Sequence, residues 1–409
     1  MKSKIWTQLS AMMFLEFFIW GSWFVTMGIY LPAALEASGA ESALAYATQS
    51  WGAIVAPFII GLIADRYFNA ERIFGLLHLV GGVLMVFLAR AETFAVFYPY
   101  VLGYMILYMP TLSLANSICF YQLTDPAKQF SFIRVFGTIG WILAGLSISF
   151  IFGWDSPEGM AQGALRNTFY LAAGASFLLG LLSFILPKTP PQGKGSGKTS
   201  IRDLLGLDAL NLLKDRNYGI FFAASVLICI PLAFYYQHAG QFIGEIGVSN
   251  PAGKMTLGQF SEILFMLLLP FFFKRFGFKN TIIVAMLAWF LRYVCFTYGD
   301  AGEGVWLVLT GIALHGICYD FFFVSGQIYT DHKAGPAIKS AAQGLITLAT
   351  YGVGMLIGFW VAGKLTDEFA LGPNAHQWDQ IWIYPAGFAL LVMLLFALLF
   401  KNEDVSYEH

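Results

Sequence analysis

The chain has 409 residues, 58% of them hydrophobic and only 11% charged, whereas an ordinary soluble domain is about a quarter charged. So little charge cannot solvate the surface of a water-soluble fold of this length. The net charge of −1 and the lack of any basic tract also argue against a nucleic-acid-binding module.

Apolar runs of about 20 residues recur along the sequence, the length that crosses a hydrocarbon core of roughly 30 Å at 1.5 Å per residue. Lys2 and Lys4 precede an apolar stretch that runs to about Leu35, too long for a signal-peptide core and therefore read as a first helix. The hydropathy pattern predicts further spans at roughly 43–64, 72–90, 94–122, 131–153 and 166–187. A second set follows at roughly 217–246, 255–273, 280–298, 304–330, 338–364 and 379–400. Between the sets, 188–216 is rich in Pro, Gly, Ser and Lys and reads as a linker. The expectation is an all-α integral membrane protein of about twelve transmembrane helices, with six-helix bundles at 1–187 and 217–409. Lys and Arg gather in alternate loops, among them Lys2, Lys4, Arg66, Arg72, Lys274, Arg275 and Lys279, while the opposite loops hold only Arg90, Arg166, Lys254 and Lys364. By the positive-inside rule both termini are cytoplasmic.

Equivalent turns of the two halves carry charge. After the second span comes Gly61-Leu-Ile-Ala-Asp65-Arg66-Tyr-Phe-Asn-Ala-Glu71-Arg72, and after the eighth comes Pro270-Phe-Phe-Phe-Lys274-Arg275-Phe-Gly277-Phe-Lys279. The first resembles the signature between helices 2 and 3 of the major facilitator superfamily. In that reading Gly61 permits close helix approach, while Asp65, Arg66 and Arg72 gate one face through charge pairs.

Ionisable groups inside spans are expensive and usually face a cavity or a partner. Here they are Glu16, Arg134, Glu262, Arg292 and Asp320, with His238 and His315 as possible partners. Arg134, Thr138 and Trp141 follow one another at i, i+4 and i+7 and share a helix face. His315 and Tyr319 share another, with Asp320 beside Tyr319, and Gln259 lies three residues from Glu262. Polar groups beside aromatic rings suit a flat, hydrogen-bonding solute. The bland alternative is that Arg134 pairs with Asp320 or Glu262 only to hold the halves together. His78 and His238 read as satisfied packing residues. Pro231, followed by Tyr235, Tyr236, Gln237, His238 and Gln241, marks a place where the seventh span can bend. The four cysteines, Cys119, Cys229, Cys295 and Cys318, lie in apolar runs without ligand or disulfide spacing, so neither a metal nor a cofactor is expected.

Several strings together resemble the bacterial nucleoside:proton symporters of the major facilitator superfamily: Phe18-Ile-Trp20-Gly21-Ser22-Trp23, Tyr108-Met-Pro110-Thr111-Leu112, Ile133-Arg134-Val-Phe-Gly137-Thr138-Ile-Gly140, Leu204-Leu-Gly206-Leu-Asp208-Ala209, Ser261-Glu262 and Asp320-Phe-Phe. The resemblance extends from the first span to the last. It implies a monomeric inner-membrane importer whose partners are a nucleoside, protons and the lipid bilayer. It also carries substrate-binding or proton-coupling roles to Arg134, Thr138, Gln259, Glu262 and Asp320. The chain departs from the pattern at Ala233 and Tyr236, where the family has amide side chains, at His315, where it has tyrosine, and at Glu16, where it has glutamine. Gln237 is a possible substitute for a lost amide, although one residue turns a helix by about 100°.

The mechanism expected from this reading is alternating access, with Trp141 and Tyr319 walling the base, Tyr236, Gln237 and His315 nearby, and Gln259 and Thr138 bonding base or sugar. Glu262 accepts ribose hydroxyls, and Asp320, with Arg134, carries the proton, Glu262 being the alternative carrier. A proton-coupled transporter of sugars or another polar solute is the alternative on the same scaffold. An intramembrane protease is disfavoured because the Gly-x-Gly-Asp partner of Tyr319-Asp320 is absent, as is His-Glu-x-x-His. A non-transporting receptor stays open at this stage.

Overall fold

The computed structural model describes residues 3–59, 68–124, 126–191, 207–372, 374–403 and 405. Gly61, Asp65 and Arg66 of the charged turn lie outside the described residues, as does most of the linker.

The chain is built almost wholly of helix: α1 (Ser3–Leu35), α2 (Gly39–Ile59), α3 (Ala70–Ala89), α4 (Phe94–Gln122), α5 (Pro126–Leu146), α6 (Asn167–Ser183), α7 (Arg216–Glu245), α8 (Pro251–Tyr298), α9 (Val305–Ala313), α10 (His315–Tyr319), α11 (Ser325–Thr347), α12 (Met355–Glu368) and α13 (Trp378–Leu399). Among the described residues, ten helical stretches are long and apolar enough to cross a membrane. The longest, α8, is two helices joined at Gly277, whose φ of 75° is open to a residue without Cβ. A similar break at Gly335 (φ 64°) divides α11. The outer faces are apolar, with Leu267 75% and Leu398 81% exposed, while Glu16, Arg292 and Asp320 are wholly buried. That inversion of the soluble pattern needs lipid around the fold.

Local chemistry sets several ends. Thr93 caps α4 by accepting from the Val96 N–H, and Asp215 caps α7 by accepting from Tyr218 N at 2.9 Å. That hydrogen bond, with Lys333 at 3.0 Å, holds the Asp215 carboxyl below the usual carboxylate range. The helix α7 runs unbroken through Pro231.

The chain divides into two compact units. The first comprises Met1–Ala37, Leu44–Ser200 and Ser249–Gly253, and the second Ser38–Ala43, Ile201–Val248 and Lys254–His409. In the first, α1 packs on α5 and α6, and α3 on α4 and α6. In the second, α7 packs on α12 and α13. Part of the segment read as linker is ordered: Leu207–Lys214 is a 3-10 helix that buries Ala209 against Ala342 and Leu345 of α11. A short antiparallel ribbon, Ala370–Gly372 with Ala375–His376, precedes α13.

Each unit also caps one helix start with an aspartate. In the second, Asp367 accepts from Gly39 N at 2.6 Å and Ala40 N at 2.9 Å, the first turn of α2. In the first, Asp155 accepts from Ala252 N at 2.8 Å and from Ser149 Oγ at 2.6 Å, while Ser149 accepts from Gly253 N at 2.7 Å, at the start of α8. Both helices are entered through a non-glycine residue of positive φ, Glu36 (50°) and Asn250 (57°). Carboxylates at helix N-termini satisfy orphan N–H groups and complement the helix dipole.

Candidate functional site

In the first unit the predicted face of α5 is present. The Arg134 guanidinium lies 4.0 Å from the centre of the Phe17 ring on α1, and the Trp141 and Trp20 ring centroids are 5.5 Å apart at 65°. Thr138 is half-buried on the same face. Trp20 also packs edge-on against Tyr108 of α4, at 5.7 Å.

On the same helix, four residues before Trp20, lies an acid that sequence reasoning left without a partner. Glu16 is wholly buried, with Oε2 2.8 Å from His78 Nε2 on α3. Thr111 donates to its Oε1 at 2.6 Å, and the Tyr108 hydroxyl donates to its backbone carbonyl at 2.7 Å. His78 is thus a close neighbour of this acid as well as a packing residue. In the charged turn, Arg72 is exposed, whereas its neighbour Glu71 is buried and accepts from Asn69 Nδ2 at 2.9 Å and Thr189 N at 2.8 Å.

The second unit gathers most of the predicted residues. His315 opens α10 after an interruption at Leu314, and α10 passes at Asp320 into a π-helical turn, Asp320–Val324, a form often found at functional sites. This segment is pressed against α8. Gly316 N donates to Ser261 Oγ at 2.8 Å, and a Cβ at Gly316 would lie 2.4 Å from the Ser261 carbonyl oxygen. The fold therefore requires glycine there, and the contact sets His315 beside the Ser261-Glu262 pair. His315 and Tyr319 are 5.6 Å apart between ring centroids, and the Tyr319 and Tyr351 hydroxyls are hydrogen-bonded. Tyr236 meets His315 edge-on at 6.5 Å.

Polar atoms in this region are left unspent. Both carboxyl oxygens of Asp320 are buried without a hydrogen-bond partner, and so is Gln259 Oε1. Arg292, on the second half of α8, is wholly buried; its Nη2 lies 3.0 Å from His315 Nδ1 and its guanidinium 4.1 Å from the Tyr235 ring centre. Gln237 faces elsewhere, its Nε2 3.5 Å from the Gly39 carbonyl. His238 is satisfied by Gln241 at 3.2 Å and Thr366 at 2.8 Å. Sequence reasoning named Arg292 without a role and did not single out Tyr351; the aromatic and charged spacing within α8 and α10 was the only available signal. Among the described residues, no group of His, Cys, Asp and Glu is arranged to hold a metal.

A family profile described as "Nucleoside H+ symporter" matches residues 2–405. The chain is 42% identical to the putative nucleoside transporter YegT of Escherichia coli (strain K12), over 98% of this chain and 95% of that protein. It is 34% identical to the xanthosine permease of the same organism, over 97% and 96%. The crystal structure of the nucleoside transporter NupG superposes with a TM-score of 0.87 at 30% identity, covering 98% of this chain and 100% of that one.

Proposed function

Since the chain belongs to the nucleoside H+ symporter family, and is a secondary active transporter that imports nucleosides with protons by alternating access, we propose which of its residues handle each cargo. Asp320 carries the proton. The observation that bears this reading is its complete burial with neither carboxyl oxygen hydrogen-bonded: nothing in the fold uses this acid structurally, and buried acids inside spans are retained for function.

We assign Tyr319 of the second unit and Trp141 of the first to walling the base, and give Tyr236 and His315, which meet edge-on, a binding role beside Tyr319. Gln259, whose Oε1 has no partner, and Thr138 bond the base or sugar. Glu262 accepts ribose hydroxyls, as acceptor-only carboxylates do, and Arg134 offers a planar donor fork above Phe17. Arg72, with Gly61, Asp65 and Arg66, gates one side of the transporter. Twelve spans with both termini cytoplasmic fit the distribution of Lys and Arg, in a monomer of a bacterial inner membrane. Transport rather than enzymatic chemistry is the activity, and with nucleoside permeases matching the chain end to end the sugar alternative is not favoured.

The test is uptake of labelled uridine and adenosine into proteoliposomes with and without an inward proton gradient. Gradient-driven accumulation that falls at least about tenfold in Arg134→Ala supports the assignment. Undiminished accumulation in that variant removes Arg134 from the site.

A further inference from the structure

Arg292 is a permanent cation, wholly buried, and none of the ion pairs formed among the described residues includes it. Its Nε and Nη1 make no hydrogen bond. A well-packed apolar side chain would fill such a place at lower cost, so packing does not account for it. What Arg292 does touch is well defined: Nη2 meets His315 Nδ1 at 3.0 Å, and the guanidinium lies against Tyr235, the ring on which His315 is stacked at 5.1 Å and 20°. The His315 backbone is held by the neighbouring Gly316 to Ser261 contact, so the imidazole has little freedom to swing.

A guanidinium has donors and no acceptor. The Nδ1 facing it must therefore present a lone pair, which places the ring proton on Nε2. Nε2 has no hydrogen-bond partner among the described residues. His315 is thus a buried ring with a single unengaged N–H whose polarity is set by a neighbour rather than by the substrate. A tyrosine in this place would offer a hydroxyl, which donates or accepts according to what it meets. Fixing the donor removes that tolerance: a carbonyl oxygen is accepted and an amino group in its place meets N–H with N–H.

We propose that Arg292 is a positioning residue that locks His315 as an Nε2–H donor, and that this pair selects nucleosides whose base presents a carbonyl oxygen where another base carries an amino group. The proposal rests on the reading above that His315 borders the substrate. Uridine against cytidine and inosine against adenosine are the informative pairs, because each exchanges a carbonyl for an amino group, together with the adjacent ring N–H for a lone pair, with little change of shape.

The experiment measures kcat/KM for the four nucleosides with the full chain in proteoliposomes, together with the ring ¹⁵N chemical shifts of His315 in the membrane, assigned by comparison with His315→Phe. Wild type should favour the carbonyl member of each pair by about tenfold and show one tautomer. In Arg292→Met both tautomers should appear and the preference fall toward unity, while Arg292→Lys, which keeps a donor, restores it. His315→Phe should abolish the preference, and adding Arg292→Met to it should change the ratio no further. Equal use of both members of each pair by wild type, or an unchanged ratio in Arg292→Met, overturns the proposal. Should Arg292→Met not fold, a ratio in Arg292→Lys/His315→Phe equal to that of Arg292→Lys alone overturns it instead. Mixed tautomers in wild type with uptake intact defeat the positioning role alone, whereas a single tautomer without uptake of any nucleoside defeats the functional reading on which selectivity rests.

Discussion

Each unit buries an acid and a base deep in its helices, and the two treat them in opposite ways. In the first, Glu16 Oε2 lies 2.8 Å from His78 Nε2, within ion-pair distance, and Thr111 donates a hydrogen bond to the other carboxyl oxygen. In the second, Asp320 has no hydrogen-bond partner and Arg292 has no carboxylate within ion-pair distance. A buried acid set against a base and a hydroxyl is held by the fold, and its loss is felt as instability. Unspent groups are strained in the ground state and become useful only when something else arrives, whether proton or solute. On the proposed assignment, the contrast separates residues that build the transporter from residues that work it.

The sharpest way to break the contrast is Asp320→Asn. Gradient-driven accumulation should fall at least about tenfold while exchange of labelled for unlabelled nucleoside across the membrane persists, because the amide keeps the shape and removes the titrating proton. Accumulation at wild-type level would show that another group couples the proton. On the opposite side of the comparison, Glu16→Ala should cost stability, by roughly 3–5 kcal/mol as for other buried pairs that lose one member, read as a lower midpoint of thermal unfolding in detergent. Glu16→Gln keeps an acceptor for Thr111 and should recover most of that loss with substrate KM unchanged. If it instead abolished proton coupling, Glu16 would belong with the working residues. The smallest effects should come from the helix caps. Replacing Asp155 or Asp367 by alanine should each cost about 0.5–2 kcal/mol, with Asp155 the larger, since it is wholly buried and Asp367 is exposed. Equal shifts in the unfolding midpoint would refute that ranking.

Much of the fold was legible because hydropathy counts residues and the bilayer fixes how many are needed. The span at 94–122 coincides with Phe94–Gln122, bounded by its Thr93 cap. The π-turns at Asp320–Val324 and Leu348–Gly354 were not legible, since a wider turn leaves hydropathy unchanged. Leu207–Lys214 was hidden by the composition of the linker around it, although Ala209 and Leu212 at i and i+3 suit one face of a 3-10 helix. In the site, the shared face of His315 and Tyr319 followed from their spacing and is observed. The Arg292 to His315 contact did not follow, because it joins residues 23 apart on different helices and no periodicity within one helix reports on another. The same holds for Glu71, part of the charged turn after the second span, which is buried on the Thr189 backbone.

The cysteines offer a practical return. All four thiols are free; Cys119, Cys229 and Cys318 are buried and Cys295 is partly so. Reagents that modify exposed thiols therefore find a nearly silent background in the native sequence. Spin labels or fluorophores on cysteines introduced at the helix ends can then follow the transport cycle in a chain whose interior chemistry has been left untouched.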